Sequence, residues 1–114
     1  DPEVYGQNWA RVQAYAADAG RDPAAITPAM YLTLAIDENP ARAETALNTY
    51  LEAYYNQPAA HLRAHQAAFA GTPEAAADWV RGFVEAGVRH LCLRPVGDTA
   101  EQLGRINGMR QNKI

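Results

Sequence analysis

Three polar side chains end or interrupt the two most strand-like runs of the chain: Asp37 follows AMYLTLAI, and His90 and Arg94 lie in RHLCLR. A small independent enzyme could use the three together, but the sequence contains no recognisable nucleophile–base pair or metal set to go with them. Asp37 and Arg94 could equally form a plain ion pair between two loop entries. His61 and His65 stand four residues apart, a helical spacing that can hold zinc. No glutamate falls between them and no third ligand is evident, so solvent-exposed histidines and no metal are expected. Cys92 is the only cysteine, which rules out an intrachain disulfide or a multi-cysteine metal site. Flanked by leucines, it reads as a small buried apolar residue rather than a reactive thiol. The glycines form neither GxGxxG nor GxxxxGK, so no phosphate-cradling loop is expected.

The elements that must position these groups are well punctuated. In GTPEAAADWVRGFVEAGVRHLCLRPVG, Thr72 caps a helix that Pro73 opens, and Ala76, Val80, Phe83 and Val84 share one apolar face. Gly87 stops it in a left-handed conformation, and Val88 to Leu93 follows as a short strand. A first helix starts at Asp1-Pro2, carries the stripe Tyr5, Trp9, Val12, Ala16 and Ala19, and closes at Gly20. Ala29 to Ile36 is a strand, and Asn39-Pro40 opens a helix with Leu47, Tyr50, Leu51 and Tyr54 as its inner face. After the break at Asn56-Gln57-Pro58, Ala59 to Ala70 reads as a shorter helix anchored by Leu62 and Phe69. Thr99 and Gln102 form a capping-box pair for a last helix, with Leu103, Ile106 and Met109 pointing inward. The order is α-β-α-α-α-β-α, an α/β arrangement of about two parallel strands with four to five helices.

Both strands alternate between an aliphatic face (Met30, Leu32, Leu34, Ile36; Leu91, Leu93) and a mixed one (Tyr31, Thr33, Ala35; His90, Cys92, Arg94). In a parallel (β/α) barrel the aliphatic face meets the outer helices and the mixed face points inside, near a cavity.

With 114 residues, 48 % apolar and 20 % charged, the chain has the length and composition of one globular domain. Its net charge of −3 and scattered arginines give no footprint for nucleic acid. No apolar run has membrane-spanning length and no secretory-type leader is visible, so a cytoplasmic location without membrane contact is expected. The start at Asp1-Pro2-Glu3, already within a helix signal and without methionine, suggests a piece of a longer protein.

Three blocks carry a resemblance to a known family. They are AGRDP (Ala19 to Pro23) with the strand ITPAMYLTLAID, then GTPEAAADWVRGFVEAGVRHLCLR, then the terminal TAEQLGRINGMR. In this order they resemble the C-terminal third of the bacterial-luciferase-like monooxygenases. The resemblance implies the C-terminal part of a TIM-type (β/α)8 barrel, with residues 1–114 as one incomplete domain. It also implies FMN or a deazaflavin coenzyme and an organic small-molecule substrate. Arg94 matches the polar residue ending the family's last strand, where it would face the cofactor; Asp37 and His90 are the candidates for substrate. No catalytic residue carries over, because the strands expected to supply most of the flavin pocket are not in the chain. Alone, it is expected to bind no flavin, to be inactive, and to associate with itself or with the missing N-terminal part of the barrel. The alternative is a small self-associating α/β protein with a binding or structural role.

Overall fold

Local capping chemistry starts each long helix in the computed structural model, which describes residues 1–112. Helix α1 (Pro2–Asp18) begins with the Asp1 carboxylate accepting the Val4 N–H at 2.9 Å. Gly20 ends it at φ 77°, as a helix stop requires. A single 3-10 turn (Pro23–Ala25) leads into strand β1 (Ala29–Ile36). Asn39 Oδ1 accepts the Ala41 N–H at 2.9 Å to open α2 (Pro40–Tyr55), and Asn56 closes it in the left-handed region at φ 54°. Helix α3 (Ala59–His65) and strand β2 (Ala68–Gly71) follow. Thr72 Oγ1 accepts the Ala75 N–H to start α4 (Pro73–Glu85), then come β3 (His90–Pro95) and α5 (Thr99–Asn112).

Two expectations need correction. Ala59 to Ala70 is not one helix: it splits into α3 and the third strand, β2, giving the order α-β-α-α-β-α-β-α. Four residues of Ala-Phe-Ala-Gly carry no strand periodicity; β2 exists because β1 offers it a ladder, with Thr33 opposite Ala68 and Ile36 opposite Gly71. The capping box on Thr99 does not form either. Asp98 caps α5, its carboxylate accepting the Glu101 N–H at 2.9 Å, which frees Gln102 for a distant partner.

The sheet is fully parallel in the order β2-β1-β3, with Ala29 opposite His90 and Leu34 opposite Pro95. The chain steps from β1 to β2 in one direction and returns past β1 to β3. Right-handed crossovers in opposite directions place their helices on opposite faces. The packing agrees. Leu32, Leu34 and Ile36 bury against Ala76, Ala77, Val80 and Phe83 of α4 and Met109 of α5. Ala35 packs on the other face with Leu47 and Leu51 of α2 and Leu62 of α3. An aromatic chain extends the first core, Phe69 stacking on Trp79 at 5.2 Å and Trp79 meeting Phe83 edge-on at 5.1 Å.

The mixed face is therefore open only in part. Over β1 and β2 it is covered by α2 and α3, which bury Thr33 and Ala35. Over β3 it is mostly open: His90, Cys92 and Arg94 are all exposed, as is Tyr31, and Arg94 meets the Tyr50 and Tyr54 rings of α2. Cys92 is thus a surface residue, not the buried one its leucine neighbours suggest, because no layer lies above its face of an edge strand. Leu103 and Tyr54 likewise lie outside the core, at 53 % and 63 % exposure.

Candidate functional site

The carboxyl ends of parallel strands are where α/β sheets gather ligands, because loops and helix N-termini converge there. In this chain that rim is built by the loop after β1, the start of α4 and the start of α5.

Gln102 holds the rim together. Its side-chain Oε1 accepts the Ile36 N–H at 3.1 Å, and its Nε2 donates to the Ile36 carbonyl at 2.8 Å. The last backbone bond between β3 and β1 is Val96 N–H to Leu34 O at 2.9 Å. The Gln102 amide takes the place of the next peptide, continuing the ladder after β3 has turned into α5. Arg105 donates to the same Ile36 carbonyl at 2.7 Å and pairs with Glu101 at 2.6 Å. Sequence reasoning missed both residues; the T-x-x-Q pattern drew Gln102 into a local role.

Asp37 sits at the carboxyl end of β1 as expected, but its partner is Arg42, not Arg94. The carboxylate accepts from Arg42 at 2.9 Å and from the Asn39 N–H at 2.8 Å. The Arg42 hydrogen bonds, with the Asn39 N–H second, hold its pKa below the ordinary carboxylate value. Asp37 thereby ties the loop to the first turn of α2.

Arg94 lies on the open half-face. Its guanidinium stands 5.6 Å from the Tyr50 ring centre and 5.7 Å from that of Tyr54, which stack on one another at 5.6 Å. The adjacent Tyr50 hydroxyl raises the guanidinium further above its ordinary value, so it is charged at any physiological pH. Tyr50 and Arg94, with Pro95, Val96, Gly97 and Thr99, line a cleft of about 460 Å³. A cation flanked by aromatic faces suits a planar or anionic ligand.

His90 is not part of this group. It pairs in register with Ala29, at the amino end of the sheet, while Asp37 follows the carboxyl end of β1. Eight residues of extended chain separate the two levels by roughly 26 Å. The structure thus brings Arg94 to a cleft with Tyr50 and leaves Asp37 and His90 apart from it and from each other.

A second cleft, of about 230 Å³, opens on the opposite side of the rim between Glu38, Glu74, Arg105 and Met109. His61 and His65 lie close, their ring centres 4.7 Å apart, and His65 Nδ1 is 2.9 Å from the His61 carbonyl. Among the described residues no cluster of three or more His, Cys, Asp or Glu is placed to hold a metal ion. No helix among them is long and apolar enough to cross a membrane.

A search of the curated proteins found none that matches the chain. The family model for luciferase-like monooxygenases matches residues 1–110, which takes in every element from α1 through most of α5. The chain belongs to the luciferase-like monooxygenase family.

Proposed function

We propose that the chain is the C-terminal segment of a flavin- or deazaflavin-dependent oxidoreductase acting on an organic small molecule, and that it is inactive alone. The match over residues 1–110 carries this reading. The all-parallel sheet is compatible with a partial luciferase-like fold, but its order β2-β1-β3 with helices on both faces is that of an open sheet and not of consecutive barrel strands, so the family match alone carries the reading.

The residues present fit part of such a coenzyme. Arg94 offers a cation and Tyr50 an aromatic ring on the wall of the cleft, whose volume of about 460 Å³ is that of a small-molecule pocket. Bound there, a reduced flavin or deazaflavin would supply the hydride or electron pair for the reaction. The chain's own contribution is binding: Arg94 would neutralise an anionic group and Tyr50 would exclude water from one of its sides. Of the side chains lining this cleft, the Tyr50 hydroxyl is of a type that can donate or accept a proton.

The test is to immunopurify the polypeptide carrying this sequence from its source, then measure its intact mass and extract its coenzyme. A species of roughly 30 kDa or more that releases a flavin or deazaflavin supports the proposal. A 12.4 kDa species with no coenzyme overturns it.

A further inference from the structure

We infer that, as a free polypeptide, two copies of this chain pair antiparallel through the outer edges of their β3 strands, on a two-fold axis at Cys92. The inference goes beyond the oxidoreductase reading and concerns one of the two sheet edges, those of β2 and β3, left unpaired among the described residues.

Among the described residues β3 is an edge strand, hydrogen-bonded to β1 alone. His90 N–H donates to Pro28 O and Val96 N–H to Leu34 O, so the even-numbered residues direct their backbone groups inward. In an extended strand the alternate residues point the other way. Leu91 and Leu93 therefore present N–H and C=O outward, and Pro95 presents a carbonyl without an N–H. Antiparallel pairing about Cys92 sets Leu91 opposite the second copy's Leu93. It makes four hydrogen bonds and uses every outward donor. The pairing ends at both sides, because Pro95 meets an Arg89 whose N–H is already bonded to Pro28 O at 2.9 Å. The neighbouring register, about Leu93, drives the Pro95 ring against the Leu91 carbonyl of the second copy.

At the axis the two Cys92 residues form a non-hydrogen-bonded pair, with Cα atoms about 4.5 Å apart and side chains on the same open face. Tyr31 stands beside each in register. A standard interface removes about 800 Å² from each partner, and a strand of six residues is only about 20 Å long. The edge alone falls short of that area, so the pair is weak and concentration-dependent.

Two measurements on the 114-residue chain test this, neither involving coenzyme. Sedimentation under reductant at increasing concentration is expected to show a monomer–dimer equilibrium. Cys92→Lys sets two like charges opposite each other at an exposed position and weakens it about tenfold, with circular dichroism unchanged. Diamide, which takes two electrons and two protons from a pair of thiols, is expected to convert the chain rapidly to a species of twice its mass. Cys92→Ser abolishes that species while leaving the reduced equilibrium in place. A strict monomer at several hundred micromolar overturns the inference. So does a dimer that diamide links no faster than it links denatured chain, since that dimer uses another surface.

Discussion

The side-chain amide of Gln102 pairs with both backbone groups of Ile36, a residue 66 positions earlier in the chain. This one contact fixes the start of α5 to the end of the central strand, and so sets the rim on which both clefts lie. Gln102 is 5 % exposed and Ile36 1 % exposed, so water cannot replace what it supplies.

Gln102→Leu is expected to cost about 1–3 kcal/mol, because the Ile36 N–H loses its acceptor in a buried setting. The carbonyl keeps Arg105 as a donor, which limits the loss. Gln102→Glu is expected to cost more, having exchanged a buried donor for a charge. Thermal unfolding of the three proteins gives the ranking.

Stability is expected to fall with acid partly through Asp37. Its folded pKa lies below the ordinary value near 3.9, because Arg42 and the Asn39 N–H favour the carboxylate. The unfolded state therefore binds the proton first. The contribution is fully present above about pH 5 and is lost as pH drops through the unfolded and then the folded pKa. Urea midpoints measured from pH 6 to pH 2.5 are expected to decline less steeply for Asp37→Asn than for the parent.

Gly87 occupies φ 117°, and a Cβ there would meet the Trp9 ring at 3.1 Å. Gly87→Ala combines backbone strain with that close approach and is expected to cost about 1–3 kcal/mol. Gly104→Ala is the control, since its added Cβ meets nothing within 4 Å. It is expected to be neutral or slightly stabilising in the same melts.

Phe83 is fully buried between Tyr5 and Trp79, at the centre of the larger core. Phe83→Ala is expected to cost about 3–5 kcal/mol and to leave much of the chain unfolded at 37 °C. Phe83→Leu keeps most of the volume and is expected to lose less than half as much. Chemical denaturation separates the two.

Arg94→Ala is expected to lower stability by less than about 1 kcal/mol, the range of an exposed cation–π contact. In the complete enzyme proposed above, the same change is expected to weaken coenzyme binding about tenfold, the loss of one charged hydrogen bond. Equilibrium titration of coenzyme, with melting as the control, reads both. An unchanged affinity removes Arg94 from the site.

What the sequence determined by itself is local. Asp1, Asn39 and Thr72 cap the helices that their identities announce, Gly20 and Gly87 stop helices at positive φ, and Ala29–Ile36 is the strand its alternation predicts. Each of these depends on groups within about four residues, so the information sits in one window of chain. The family blocks were legible for the same reason. Tertiary structure decided the rest. β2 has no signal of its own and forms on the edge of β1; Gln102 leaves a local cap for a strand end 66 residues away. Cys92 and Leu91 share one apolar run, yet only Cys92 is exposed, because α2 and α3 follow the crossover toward β2 and leave the Cys92 stretch of β3 uncovered. His90 and Asp37 were separated by strand register, and Arg94 met Tyr50 and Tyr54 because α2 lies on its face of the sheet. Exposure and pairing are properties of neighbours distant in sequence, and a helix or strand acquires them only when the layers close.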